Sequence, residues 1–219
     1  MKTINIAIDG PAGAGKSTIA KMVSAEMGYI YVDTGAMYRA VALYLTENNI
    51  PDEEAEKHME EVEVSLKFVD GAQRVYLGDR DVSDLIRTPK ISMAASRTSA
   101  IPAVRAYLFE TQKKIARENN VIMDGRDIGT HVLPDADVKI FLTASAKVRA
   151  KRRYDELVAK GETPDLFRIE KDIIERDQRD MNREIAPLKQ AEDAILVDSS
   201  ALTIEEVEEK IVALVRETM

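Results

Sequence analysis

The chain has 219 residues, a net charge of −8, no cysteine and 5% aromatic residues. That length can bury the core of one main domain carrying insertions, and without cysteine there are no disulfides and no thiolate chemistry. The acidic balance argues against non-specific nucleic-acid binding, the few aromatics argue against a base-stacking platform, and no apolar run is long enough to span a membrane.

The first run, Ile4-Asn-Ile-Ala-Ile8, reads as a buried strand. Behind it stand Gly10, Pro11, Ala12, Gly13, Ala14, Gly15, Lys16, Ser17 and Thr18, in which Gly, four residues, then Gly-Lys-Ser fit the phosphate-loop pattern. A helix is expected from Lys16 to Met27, with Ile19, Met22 and Val23 inward and Gly28 as its C-terminal cap. The chemistry needs this order. Glycines let backbone N–H groups close around phosphate oxygens, and the helix N-terminus adds positive potential. Lys16 can reach the β- and γ-phosphates of a nucleoside triphosphate, and the Ser17 hydroxyl can ligate Mg²⁺.

Tyr29-Ile-Tyr-Val-Asp33 reads as a second strand, and Asp33-Thr34 opens a helix with Met37, Val41, Tyr44 and Leu45 on one face. Arg39 points away from that stripe. Pro51 is expected to end the helix, and an acidic, exposed helix to follow. Residues 62–82 alternate apolar and polar around a turn at Asp70-Gly71, which predicts a small antiparallel insertion. It is either a subdomain touching substrate or a loop that gained strands. Residues 88–117 read as two helices broken at Ile101-Pro102. Val121-Ile-Met123 is a strand delivering Asp124-Gly125-Arg126-Asp127 at its end, where an aspartate suits a magnesium ligand and an arginine suits a phosphate. Strands at 138–142 and 194–197 follow, and the last helix opens with the capping box Thr203 and Glu206.

The expected fold is therefore an α/β open five-stranded parallel sheet with helices on both faces, a small antiparallel insertion and a helical lid. Ligands in such sheets bind beyond the strand C-termini. Lys147, Arg149, Lys151, Arg152 and Arg153 crowd one helix, followed by a break at Lys160-Gly-Glu-Thr-Pro164 and a returning helix. A solvated helix face would explain the run. A mobile lid over residues 147–165, bringing cations to a transferring phosphoryl group, explains run and break together. In the returning helix Leu166, Ile169 and Ile173 share a stripe with Arg176, Asp180 and Arg183. A surface Arg176–Asp180 pair is one reading; a stripe leaving the core for a polar cleft is the other.

Taken together, these motifs resemble the bacterial cytidylate kinases of the nucleoside-monophosphate kinase family. The resemblance runs nearly end to end, through Ile8-Asp-Gly-Pro-Ala-Gly-Ala-Gly-Lys-Ser17, Asp33 to Arg39, Asp124 to Gly129, Glu175-Arg176-Asp177, Asn182-Arg183 and Ala186-Pro187-Leu188. It implies a single phosphate-loop kinase domain over 1–219, with a monophosphate-binding region at 34–118. The reaction it implies passes the ATP γ-phosphoryl group, with Mg²⁺, to CMP or dCMP. Lys16, Arg126, Arg149 and Arg153 would be catalytic, and Ser17 and Asp124 would hold the metal. Arg39, Arg126 and Arg183 would hold the acceptor phosphate, with Thr34 nearby. Ser96, Arg105 and Asp127 would read cytosine, and Arg176 and Asp180 the sugar. A kinase for UMP or a sugar-like acid would share the loop and lid, and a nucleotide-binding switch is a further reading, although no Asn-Lys-x-Asp stretch is present. With no signal-like N-terminus, a cytoplasmic monomer acting on small nucleotides, with no nucleic-acid or membrane partner, is expected.

Overall fold

The apolar runs become β1 (Asn5–Asp9), β2 (Ile30–Asp33), β6 (Val121–Gly125), β7 (Val138–Thr143) and β8 (Ile195–Asp198) of one five-stranded parallel sheet, in the order β2-β6-β1-β7-β8. The computed structural model describes residues 3–69 and 72–218. The chain divides into two compact units, Met1–Ile30 with Asn119–Met219, and Tyr31–Glu118.

In the first unit, Ile6, Ala7 and Ile8 of β1 and Val121, Ile122 and Met123 of β6 are wholly buried. Unbroken apolar runs of this kind belong to central parallel strands. The register sets Asp124 opposite Ile8 and Gly125 opposite Asp9, so the loops leaving β1 and β6 emerge side by side. Gly10 follows β1 with φ 144°, and a Cβ there would lie 1.9 Å from the Leu142 carbonyl oxygen of β7. Only glycine lets the phosphate loop turn off the sheet at that point. Helix α1 (Lys16–Met27) begins after Gly15 and ends at Gly28, as its sequence predicts, and packs on β1 and β6. Helix α7 (Ile204–Thr218) packs against α1, and its capping box forms: Thr203 N–H donates to Glu206 Oε2 at 2.8 Å and Glu206 N–H to Thr203 Oγ1 at 3.2 Å. Between β7 and β8 lie the paired helices α5 (Ala146–Ala159) and α6 (Leu166–Asn182).

The second unit has its own core. Helix α2 (Thr34–Glu47) buries Met37, Val41 and Leu45 against α3 (Pro89–Thr98), α4 (Pro102–Glu118) and the antiparallel sheet of β3 (Val64–Val69), β4 (Ala72–Leu77) and β5 (Arg80–Asp81). Val64 and Val75 supply the sheet's share of that core, and Val82, just after β5, adds to it. The turn expected at Asp70-Gly71 lies outside the described residues. Two expectations change. Helix α2 stops at Glu47, before Pro51, because Asn49 takes a left-handed φ of 54°. The acidic segment after Pro51 is a tighter 3-10 helix over Asp52–His58, which turns Ala55 into the core.

Candidate nucleotide site

At the head of α1, Lys16 is 5% exposed and donates from Nζ to the Pro11 carbonyl at 2.8 Å. Burial, with the Arg126 charge adding to it, pushes its ammonium down to about 7, against the opposing pull of Asp124 and Asp9. Arg176 adds a further like charge. Cations gathered round a loop of backbone N–H groups make an anion site, because a phosphate would relieve their mutual repulsion. Ser17 Oγ donates to Asp124 Oδ2 at 2.8 Å, so the two candidate metal ligands meet at the mouth of the loop. Among the described residues no group of three or more His, Cys, Asp or Glu side chains is placed to hold a metal ion.

Asp9 closes the floor of this site. Its two carboxylate oxygens accept from the N–H groups of Ile128, at 2.9 Å, and Gly129, at 2.7 Å, which begin a single π-type turn after β6. Burial raises its carboxyl to about 6 despite those two bonds. The loop so held carries Arg126 and Asp127.

Those two residues lock onto α6 in a crossed pattern. Arg126 Nε donates to Asp180 Oδ2 at 3.0 Å, and Arg183 Nη2 donates to Asp127 Oδ1 at 3.0 Å. Arg183 Nε also donates to the Ala186 carbonyl at 2.5 Å, and Ala186 holds a strained φ of 48° to present it. A third pair joins α5 to α6: Arg149 Nη2 and Nη1 reach Asp177 Oδ2 and Oδ1 at 2.5 and 3.2 Å. The same guanidinium donates to the carbonyls of Ala144 and, in the phosphate loop, Ala12, at 2.8 and 2.9 Å.

This arrangement corrects the expected stripe on α6. Its apolar end does not start in a core: Leu166 is exposed and Ile169 and Ile173 are half-buried. The buried residues of the helix are Asp177 and Asp180. Carboxylates can sit there because Arg149 and Arg126 meet them. The basic run on α5 also divides. Arg149 is buried on the loop, Arg152 donates to Ser199 Oγ and its carbonyl at 3.2 and 2.7 Å, and Arg153 is exposed beside Glu156 at 2.8 Å.

In the second unit Asp33 caps α2, accepting from Ala36 N–H at 2.8 Å, and takes Arg39 Nη2 at 3.0 Å on its other oxygen. Arg105, 5% exposed, lies 5.6 Å from the centre of the Tyr38 ring and donates to the Ser99 carbonyl at 3.2 Å. Ser99 Oγ in turn donates to the Ser96 carbonyl at 3.1 Å, so Ser96 and Arg105 belong to one cluster. Thr34 is buried in the first turn of α2. Among the described residues, Arg39 Nε and Ser96 Oγ are buried with no hydrogen-bond partner. Native proteins tolerate few such atoms, and a ligand is one reason to keep them.

A family model described as cytidylate kinase matches residues 6–217. The chain belongs to the cytidylate kinase family. Among its curated relatives, the cytidylate kinase of Caldicellulosiruptor bescii is 54% identical over 217 residues, covering 98% of this chain and 96% of that one. The cytidylate kinase of Bacillus cytotoxicus is 47% identical over 221 residues, covering 100% and 98%. Among solved structures, an uncharacterized protein from Eubacterium ventriosum superposes with a TM-score of 0.54 at 12% identity, over 98% and 99% of the two chains, a likeness of fold alone.

In the first unit the structure gathers Lys16, Ser17, Asp124, Arg126, Asp127, Arg149, Asp180 and Arg183 into a network of separate polar pairs at the C-terminal edge of the sheet. Thr34, Arg39, Ser96 and Arg105 stand on the helices of the second unit. Sequence reasoning missed Asp9 and Asp177 as members of the network. The signal for Asp9 was an acid ending an otherwise apolar strand. For Asp177 it was an acid one step beside the Arg176–Asp180 stripe.

Proposed function

We propose that this family membership is expressed through the residues described above. The protein is a kinase that passes the γ-phosphoryl group of ATP to CMP or dCMP, leaving ADP and CDP or dCDP. The full-length match to cytidylate kinases carries this reading. Residues 10–18 cradle the donor phosphates through backbone N–H groups, and Lys16 follows the group in transfer. Arg126, Arg149 and Arg153 neutralise charge on the transferring oxygens, where positioning and electrostatics do most of the work. The hydroxyl of Ser17 and the carboxylate of Asp124 fit Mg²⁺, a hard cation that takes oxygen donors and fills its shell with water and phosphate oxygens. When bound it would neutralise β- and γ-phosphate charge.

Arg39, Arg126 and Arg183 hold the acceptor phosphate, with Thr34 beside them. Arg176 and Asp180 hold the sugar. Cytosine presents an N4 donor with acceptors at N3 and O2, which Asp127, Arg105 and Ser96 complement. The buried Ser96 Oγ and Arg39 Nε, without partners among the described residues, support these assignments. Residues 34–118 form the monophosphate-binding region and residues 147–165 the lid. On this reading the protein works as a cytoplasmic monomer on small nucleotides, with no nucleic-acid or membrane partner; among the described residues no helix is long and apolar enough to cross a membrane. The test is ADP release from ATP and Mg²⁺ with CMP, dCMP, UMP, AMP and GMP in turn. CMP and dCMP should turn over at least ~10-fold more efficiently than UMP. No ADP release above the ATP-only background with CMP would overturn the assignment.

A further inference from the structure

Strand β4 belongs to the antiparallel insertion, and its inward face buries Val75 in the core of the second unit at 2% exposure. Two residues earlier on that same face stands Gln73, a polar side chain where the alternation calls for an apolar one. Local rules of this kind are broken mainly where a side chain has a task. The Gln73 amide has one. Its Oε1 accepts from the Asp33 N–H at 2.9 Å, and its Nε2 donates to the Asp33 carbonyl at 3.4 Å. Asp33 ends β2, the last strand in its sheet order, and the glutamine pairs with its main chain as a neighbouring strand would.

Asp33 is thereby held at four points. Its backbone N–H and carbonyl are taken by Gln73, while its carboxylate caps α2 and pairs with Arg39. The fit is close: a Cβ on Gly35 would lie 3.2 Å from Arg39 Nη1 and 3.2 Å from Asp33 Oδ1. The Arg39 guanidinium is laid over the first turn of α2 with Nε buried and, among the described residues, without a hydrogen-bond partner. Relaxing Asp33 would let that guanidinium swing, and misplacement of a binding group by about 1 Å can cost on the order of 10² in rate.

We infer that Gln73 is a positioning residue for the acceptor phosphate: through Asp33 it fixes Arg39, and this is a task of the antiparallel insertion. The inference rests on the assignment of Arg39 to the acceptor. Gln73→Met keeps length and volume but loses both hydrogen bonds. It should raise KM for CMP roughly tenfold, as for one lost hydrogen bond to a charged or fixed group, while KM for ATP holds and the melting temperature falls by no more than about a few degrees from the stranded Asp33 N–H and carbonyl. Gln73→Glu keeps the acceptor for the Asp33 N–H and should fall between wild type and Gln73→Met. In an Arg39→Met background, Gln73→Met should cause little further loss in kcat/KM for CMP, because the two act in series. Equal losses in both backgrounds, or KM for ATP rising with KM for CMP, would overturn the inference. The proposed function fails separately, if the wild-type protein does not phosphorylate CMP.

Discussion

Arg183 and Arg39 are both assigned to the acceptor phosphate, yet the protein surrounds them differently. Arg183 is 8% exposed in its side chain and is bound to the Asp127 carboxylate and the Ala186 carbonyl. Arg39 is 21% exposed, pairs with Asp33, and keeps Nε without a partner among the described residues. The contrast extends to the other residues assigned to the site. In Met1–Ile30 with Asn119–Met219, Arg126, Arg149 and Arg183 each meet a buried aspartate, whereas Tyr31–Glu118 holds Arg39 Nε and Ser96 Oγ in reserve. Desolvation of the first set is met on folding, which preorganises dipoles for charge that develops during transfer. On the proposed function, hydrogen-bonding capacity in the second set is completed by the acceptor nucleotide.

The largest effect should come from Lys16, a buried cation of the first unit whose ammonium donates to the Pro11 carbonyl of the loop. Lys16→Met should lower kcat by roughly 10²–10⁴-fold, as for loss of one preorganised electrostatic contact. The melting temperature should hold or rise, because a buried charge is removed. Near-normal turnover with a native melting curve would break the phosphate-loop assignment.

Much of that loop was legible beforehand because its constraints are local. Glycine at a forced turn, a helix opening at Lys16 and closing at Gly28, and a capping box at Thr203 each follow from a few adjacent residues. The five strands were legible as apolar runs for the same reason. Burial of Asp177 was not, because an acid in a helix rich in charge looks solvated until Arg149, 28 residues away, is brought against it. Arg149 and Arg153 are likewise indistinguishable in sequence, four positions apart on one helix, and only packing buries the first and leaves the second in solvent. Gln73 breaks the alternation of its strand, yet the reason shows only when its reach to Asp33 is seen.

That difference sharpens into a second prediction. Asp177→Ala leaves Arg149 buried without its carboxylate and should cost about 3–5 kcal/mol of stability. Glu156→Ala removes the partner of exposed Arg153 and should cost no more than about 0.5 kcal/mol. Urea unfolding of both variants checks the pair, and equal costs would mean that Arg149 finds other solvation.

A smaller signal concerns protons. With its ammonium lowered to about 7 from 10.5, Lys16 holds fewer protons in the folded protein than in the unfolded chain between those values. Its charge therefore penalises stability below pH 7, and the penalty lifts as pH rises through 7 towards 10.5. An ATP triphosphate laid on Lys16 favours the charged form again, so binding at pH 8 should take up a fraction of a proton. Calorimetric titration with ATP in two buffers of different ionisation enthalpy should detect it in wild type and show less in Lys16→Met. Identical proton uptake in the two proteins would contradict the lowered value.

The central claim is that this chain is a cytidylate-reading kinase whose Asp127 carboxylate recognises the cytosine amino group. Asp127→Asn keeps the shape, and its amide can donate to O4 of uracil as the carboxylate cannot. The direct measurement is kcat/KM for CMP and for UMP in wild type and in Asp127→Asn. The account predicts a steep fall for CMP and a narrower preference for CMP over UMP, since a site built on such bonds can otherwise reject the wrong base by roughly 10⁴-fold. A variant that loses activity while keeping the full preference for CMP would contradict it, and would leave Asp127 to its pair with Arg183.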